Sequence, residues 1–324
     1  MNRRHLFQTL LAVSMAGSMG VLAASAHAQS AYPNKPIKIV VPYAPGGVVD
    51  VQTRAVTQTM AEILKSPIVV EARPGASGSI AAEVVAQSAP DGYTLIVSAS
   101  FLNSAPLMED KLRWSPDQFT PVGRFALSPS YFTVPVTSPA RTVKEFVEMA
   151  KNSPTTLQYA NGGNGTPQQI SNELFAREAG IRLEPVMYKG APPSVPDLIN
   201  GLTAMGVLPS SVAHAQVNGG KLRALANMSN SRSPQLPDVP TIAEAGFPGS
   251  TVLSWYGLHA PAGTPPEVIQ VLEKAMREAC ATAEVKQRLT AAGGEEAFLG
   301  TNDFKSFTAK DAEQWAKAVK IIKP

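Results

Sequence analysis

The chain has 324 residues, of which 44% are hydrophobic, 16% charged and 6% aromatic. This hydrophobic content supports a packed core and excludes an intrinsically disordered chain, and the length is typical of two domains. With 28 basic and 25 acidic residues, the charge balance favours neither a nucleic acid nor an anionic membrane surface as a partner. The single cysteine, Cys280, excludes a disulfide framework and a cysteine-rich zinc site. Phosphate-loop and zinc-protease motifs are absent from the sequence, so we expect no metal and no cofactor.

The N-terminus has the three parts of a secretory signal peptide. Arg3-Arg4-His5 is a basic region, 6–24 is largely apolar, and Ala26-His27-Ala28 is a cleavage site. A transmembrane anchor is the alternative, but serine, glycine, threonine and glutamine interrupt the apolar run. We predict that residues 1–28 are removed and that the mature protein is periplasmic, without direct membrane insertion. Without Arg3 and Arg4, 26 basic and 25 acidic residues remain.

In the first part of the mature chain, strands alternate with helices. Apolar patterning and turn residues predict strand 37–41, helix 51–64, strand 68–71, helix 80–89 and strand 93–98. The second part continues with strand 131–136, a helix that Thr142 caps and that ends at Ala150, strand 157–160, helix 168–179 and strands 183–188 and 222–226. Strand 255–258 and helices 265–292 and 304–322 close the chain. Such alternation is typical of an α/β fold with a largely parallel sheet.

Two breaks in this pattern predict the domain organisation. One lies at Ser128, and the other is a stretch rich in serine and proline, 231–249. We therefore predict a discontinuous first domain, 29–128 plus 249–324, with a second domain, 129–248, inserted into it.

Three glycine-rich loops, 44–50, 74–78 and 161–166, each follow a strand and precede a helix. In parallel sheets ligands bind at the carboxyl ends of the strands, where helix N-termini attract anions. The alternative interpretation is that the loops are ordinary tight turns. For Asp50 there is a second interpretation besides ligand binding: a carboxylate in the first turn of a helix interacts favourably with the helix dipole without touching a ligand.

Enzyme motifs are weak, and we predict no catalytic residue. The segment 75–79 resembles a nucleophile elbow, but Ser79 stands where that motif needs glycine. His214 and His259 lie in no Ser-His-Asp pattern, and Cys280 lies on an apolar helix face.

Several motifs resemble those of the Bug proteins, the periplasmic substrate-binding components of tripartite tricarboxylate transporters. They are Pro-Tyr-Ala-Pro-Gly-Gly-Val-Val-Asp at 42–50, Arg-Pro-Gly-Ala-Ser-Gly at 73–78, Pro-Asp-Gly-Tyr-Thr-Leu at 90–95, Tyr-Lys-Gly-Ala at 188–191, the segment 236–246, Trp-Tyr-Gly-Leu at 255–258 and the segment 260–265. The resemblance implies a two-domain, type II periplasmic-binding-protein fold that closes on a small ligand. It implies di- or tricarboxylates, acidic amino acids or aromatic acids as ligands, a membrane permease as partner and a monomer.

Carried over by motif, the resemblance implies a set of ligand-binding residues. They are Tyr43, Ala44, Pro45, Gly46, Gly47, Val48, Asp50, Ser77, Ser100, Asn161, Gly163, Gly165, Thr166, Gln169 and Tyr188. Many relatives carry histidine where this chain has Gln169 and a small polar residue where it has Val48. The first and third loops contain no arginine, so we expect the main-chain N–H groups of Gly46, Gly47, Val48, Gly163 and Gly165 to hold the carboxylate, with bridging waters.

Other functional classes remain open at this level. A periplasmic subunit that presents its ligand to a signalling receptor would share every binding residue with a transport component. An exported hydrolase is disfavoured by the missing Ser-His-acid pattern. A cytoplasmic transcription regulator is disfavoured by the signal peptide and by the absence of DNA-binding helices.

Overall fold

The computed structural model describes residues 32–109, 111–163, 166–188 and 190–322. The predicted signal peptide, 1–28, and Gly165 of the third loop lie outside these residues. From Lys35 onward the chain forms one compact unit that contains two β-sheets.

The strands, in chain order, are β1 (Ile37–Val41), β2 (Ile68–Ala72), β3 (Thr94–Ser98), β4 (Phe119–Leu127), β5 (Ser130–Pro135), β6 (Leu157–Asn161), β7 (Leu183–Met187), β8 (Met205–Pro209), β9 (Leu222–Asn227), β10 (Trp255–Pro261) and β11 (Glu295–Leu299). The α-helices are α1 (Val48–Leu64), α2 (Ser79–Ala86), α3 (Phe101–Met108), α4 (Val143–Lys151), α5 (Pro167–Glu178), α6 (Val195–Ile199), α7 (Ser210–Asn218), α8 (Pro266–Ala281), α9 (Ala283–Ala291) and α10 (Thr301–Ile322).

The first sheet has the strand order β11-β4-β10-β3-β1-β2, and the second has the order β7-β6-β8-β5-β9. The α/β class is confirmed, but each sheet is mixed rather than largely parallel. In the first, β1 pairs in parallel with β2 and β3, whereas β10 runs antiparallel to β3 and β4. In the second, β6 pairs in parallel with β7 and β8, whereas β5 runs antiparallel to β8 and β9.

Local sequence explains most element boundaries. Thr142 caps α4 as predicted, because its Oγ1 accepts from the N–H of Glu145 at 3.1 Å. The single helix predicted over 265–292 is instead two helices. Thr282 has an extended backbone (φ −71°, ψ 144°) that interrupts the helix, and its Oγ1 caps α9 by accepting from the N–H of Val285 at 3.2 Å.

The chain passes from the first sheet to the second after β4 and returns to the first between β9 and β10. At this crossing the N–H of Ser128 donates to the carbonyl of Ser254 at 2.8 Å. We call the returning segment 248–254 the crossing segment. The predicted domain boundaries, 128 and 249, stay predictions.

The cores of both sheets are built from aromatic and aliphatic side chains. Beside the second sheet, Phe132 contacts Phe146 and Phe175 with ring centroids 5.1 Å and 4.9 Å apart. Beside the first, Trp255 packs edge-on against Phe304 of α10 at 5.4 Å. Within the described part of the chain, no helix is both long enough and apolar enough to cross a lipid bilayer.

Candidate functional site

Both sheets carry parallel strands whose carboxyl ends lead towards helices. In the first sheet, β1, β2 and β3 run parallel, so that the N-termini of α1, α2 and α3 gather at one edge. In the second, β6 and β8 run parallel and lead to α5 and α7. First-turn N–H groups have no intrahelical partner and carry a partial positive charge. Both edges are therefore suited to anions.

The first loop uses two of its main-chain donors internally. The N–H of Gly46 donates to Oδ2 of Asp50 at 3.0 Å, and the N–H of Gly47 donates to the carbonyl of Ala44 at 3.2 Å. Gly46 has φ +74°, a conformation that favours glycine, and Ala44 and Pro45 are exposed at the tip. Both donors hold the loop together in this structure, and a contact of Gly46 and Gly47 with the ligand stays a prediction.

The N-terminus of α1 itself is open. Gly47 precedes the helix with an extended backbone (φ −71°, ψ 167°), and no side chain from the described residues caps this end. The N–H groups of Val48 and Val49, the first two helical residues, therefore remain available to an anion.

Asp50 supports the loop, and its carboxylate is already engaged. It is 4% exposed, and besides the Gly46 N–H it accepts from Nε of Arg54 at 3.1 Å. Burial acts to raise the pKa of Asp50, but the hydrogen bonds from Arg54 and Gly46, together with the Arg54 charge, hold the pKa below its ordinary value. Asp50 therefore supports the loop in this structure, and its contact with a ligand stays a prediction.

The second loop has an unusual backbone. Gly75, Ala76, Ser77 and Gly78 all have positive φ, at 134°, 44°, 50° and 104°. A Cβ on Gly78 would lie 2.9 Å from the ring of Phe101, so only glycine fits here. The turn leaves the predicted contact residue Ser77 exposed.

Ser79, two residues after Ser77, was not among the predicted ligand-binding residues. It opens α2, is 8% exposed, and its buried Oγ has no hydrogen-bond partner among the described residues. A buried hydroxyl without a partner is costly, so a bound water or ligand group would relieve it. Its place at the start of a helix after a glycine loop was the available signal.

The third loop also satisfies its own polar groups. The N–H of Gly163 donates to Oδ1 of Asn161 at 3.0 Å. Thr166 caps α5: its hydroxyl donates to the carbonyl of Gly163 at 2.9 Å and accepts from the N–H of Gln169 at 3.2 Å. The predicted donor Gly163 and the hydroxyl of Thr166 therefore shape this loop, and their contact with a ligand stays a prediction.

One main-chain donor at the start of α5 remains. Pro167, the first helical residue, has no N–H, and no cap from the described residues accepts from the N–H of Gln168, the second helical residue. The side-chain amide of Gln168 donates to Oγ of Ser130 at 2.8 Å, which anchors the start of α5 to the first residue of β5.

The two predicted tyrosines have different surroundings. Tyr43 packs edge-on against Phe101 at 6.3 Å, and burial raises its pKa well above the ordinary value. The hydroxyl of Tyr188 donates to Oδ2 of Asp197 at 2.7 Å. Burial and this hydrogen bond raise the pKa of Tyr188 to about 12.

The predicted contact residue Ser100 is buried directly before Phe101. Because Phe101 contacts both Tyr43 and Gly78, it brings the first two loops together, a role that sequence reasoning missed.

Two cavities in the described part of the chain each have a volume of about 460 Å³, and none of the predicted site residues lines either of them. One lies between α5, α10 and the crossing segment. The other is polar and lies between α7 and the turn at Gly293, whose carbonyl accepts from the hydroxyl of Ser210. That the three glycine-rich loops enclose a common ligand site stays a prediction.

Comparison with known proteins identifies relatives over nearly the whole chain. The model of the TctC family, described as the tripartite tricarboxylate transporter family receptor, matches residues 52–323. BugT of Bordetella pertussis is 33% identical over 301 residues, which cover 89% of this chain and 90% of BugT.

Two solved structures with ligands are also similar. Rpa4515 of R. palustris with adipate has a TM-score of 0.79 and 29% identity, covering 90% of this chain and 98% of that one. MatC of Rhodopseudomonas palustris with bound malate has a TM-score of 0.75 and 31% identity, covering 89% of this chain and 100% of that one.

Proposed function

Because this chain belongs to the family of tripartite tricarboxylate transporter receptors, we propose that it captures a small carboxylate in the periplasm and delivers it to a membrane permease of the tripartite type. The fold is the two-domain fold of periplasmic binding proteins. The proposed ligands are di- or tricarboxylates, acidic amino acids or aromatic acids. Adipate in Rpa4515 and malate in MatC support the dicarboxylates.

The observation that carries the proposal is the open N-terminus of α1. The loop before it is held by its own hydrogen bonds through Asp50 and Gly47, so the N–H groups of Val48 and Val49 are fixed in direction before any ligand arrives. Preorganised donors at a helix N-terminus favour a carboxylate over a neutral group. Gln168 offers a similar donor at the start of α5.

Calorimetry on the purified mature protein tests the ligand class. We expect binding of one or more of malate, adipate, citrate, glutamate and benzoate, and no binding of the matching methyl esters, which keep the carbon skeleton but lose the charge. Failure of the whole carboxylate panel, or equal binding of acid and ester, would contradict the proposal.

Val48→Pro is the sharpest test of the site itself, because it deletes one N–H group at a position where proline suits a helix. The extended backbone of Gly47 is compatible with a following proline. Since a hydrogen bond to a charged group contributes about 1.5–3 kcal/mol, we expect carboxylate binding to weaken by roughly tenfold to a hundredfold.

Val48→Ala is the matched control, since it shortens the same side chain and keeps the N–H. We expect its affinity to stay close to that of the wild type. Wild-type affinity in Val48→Pro, with helix content retained by circular dichroism, would exclude this helix end as the anion site.

Delivery to a permease is tested by chemical crosslinking in intact cells. Recovery of a membrane permease with the binding protein supports the transport role. Recovery of a sensor kinase in its place would assign the protein to signalling.

A further inference from the structure

The cavity between α5, α10 and the crossing segment, here called the α5–α10 cavity, has the size of a ligand site. Its volume is about 460 Å³, and it is open to solvent on one side. Known small-molecule pockets fall within roughly 300–1,000 Å³. None of the residues that line it belongs to the three glycine-rich loops.

The walls of this cavity are apolar. Ile170 of α5 packs with Trp315 and Ala318 of α10 in a buried cluster that borders the cavity. Leu174, one turn after Ile170 on α5, is half-buried and lies against this cluster. Val252 of the crossing segment lies against the same cluster. An apolar lining of this kind favours a hydrocarbon or aromatic group.

The rim is basic on one side. Lys310, Gln314 and Lys317 line the cavity at spacings of four and three residues, so they share a face of α10 over about 10 Å. All three are exposed. Among the ion pairs of the described residues, none involves Lys310 or Lys317. Two lysines without acidic partners at the mouth of an apolar cavity favour an anion there.

One acidic residue, Asp311, also lines the cavity. Asp311 is 5% exposed and accepts from Nδ2 of Asn103 at 2.7 Å. Its carboxyl disfavours a second carboxylate deep in the cavity, so that the charged end of a ligand is directed towards the two lysines.

We propose that the α5–α10 cavity binds an amphipathic monocarboxylate, whose apolar tail lies against Leu174 and Val252 and whose carboxylate lies at Lys310 and Lys317. This site is separate from the proposed site at the N-terminus of α1. Because α5 follows a strand of the second sheet and α10 packs against Trp255 of the first, an occupant contacts both halves of the molecule.

The test uses octanoate as the probe, with 1-octanol and octylamine as matched neutral and cationic probes. Calorimetry on the mature protein is expected to rank octanoate first and octylamine last. In the double variant Lys310→Gln/Lys317→Gln, which alters only exposed side chains, octanoate should bind about threefold to tenfold more weakly while 1-octanol is unaffected.

Two further variants separate the sites. Leu174→Trp fills the cavity and should abolish octanoate binding, whereas Val48→Pro should leave octanoate binding unchanged and weaken only the ligand of the main site. If the wild type gives neither heat nor a thermal shift with octanoate, or if octylamine binds as well as octanoate, the inference is wrong. Loss of octanoate binding in Val48→Pro would place the probe in the main site and also overturn it.

Discussion

Asp311 gives a prediction whose magnitude follows from its surroundings. Burial raises the pKa of this carboxyl to about 6, against the opposing effect of the hydrogen bond from Asn103. In the unfolded chain an aspartate titrates near 3.9. Between these two values the folded state binds more protons than the unfolded state, so the stability due to Asp311 falls as the pH rises from about 4 to about 6 and is constant above that range.

Asp311→Asn removes this pH dependence because the amide does not ionise. Integrating the linkage relation from pH 4.5 to 7.5 gives a change of about 2 kcal/mol in the free energy of unfolding, relative to the wild type. The difference in the free energy of unfolding between the variant and the wild type should therefore be about 2 kcal/mol more favourable to the variant at pH 7.5 than at pH 4.5. A packing cost of the new amide is the same at both pH values and cancels in the difference.

Urea denaturation followed by tryptophan fluorescence at the two pH values measures this quantity. If Asp311→Asn shifts the unfolding free energy equally at pH 4.5 and pH 7.5, then Asp311 is ionised throughout and burial does not govern its charge.

Two further substitutions test the loop and the junction between the sheets. Asp50→Ala removes the acceptor for Arg54 and for the N–H of Gly46; it should lower the free energy of unfolding by about 1.5–3 kcal/mol in urea titrations, whereas an unchanged midpoint would contradict the supporting role. Gly293 has φ +71°, and Gly293→Ala places a methyl group 2.5 Å from the backbone nitrogen of Ser211. The variant should therefore show a larger radius of gyration in small-angle X-ray scattering and a lower melting temperature in calorimetry. Wild-type values of both quantities would refute the close packing of Gly293 against Ser211.

The alternation of strands and helices could be predicted because local patterns carry it. Glycine and proline mark the ends of the elements, and β-branched runs mark strands such as β1. β4 could not be predicted, because Pro121 and Gly123 interrupt its pattern and it forms through pairing with the distant β10. Helix α3 was missed for a similar reason, since Pro106 lies inside it.

The positions of the loops were predictable, but the use of their hydrogen bonds was not. A glycine-rich sequence indicates that the backbone closely approaches another group. For Gly46 that group belongs to the loop itself, because its N–H donates to the carboxylate of Asp50. Whether a donor points inward or outward depends on φ and ψ at each residue, which sequence patterns do not fix. The α5–α10 cavity was equally hidden, because residues around 170, 250 and 315 meet only in the fold.

The internal bonding of the loops also constrains the ligand. With Gly46, Gly47 and Gly163 engaged, the N–H groups of Val48, Val49 and Gln168 are among the first-turn donors that no cap from the described residues uses. At about 1.5–3 kcal/mol each, three such bonds supply roughly 5–9 kcal/mol, while association alone costs at least about 4 kcal/mol. One carboxylate on these donors therefore falls short of the roughly 8 kcal/mol that micromolar binding requires. A second anionic group or an apolar body must supply the difference, which favours dicarboxylates and aromatic acids over the smallest monocarboxylates.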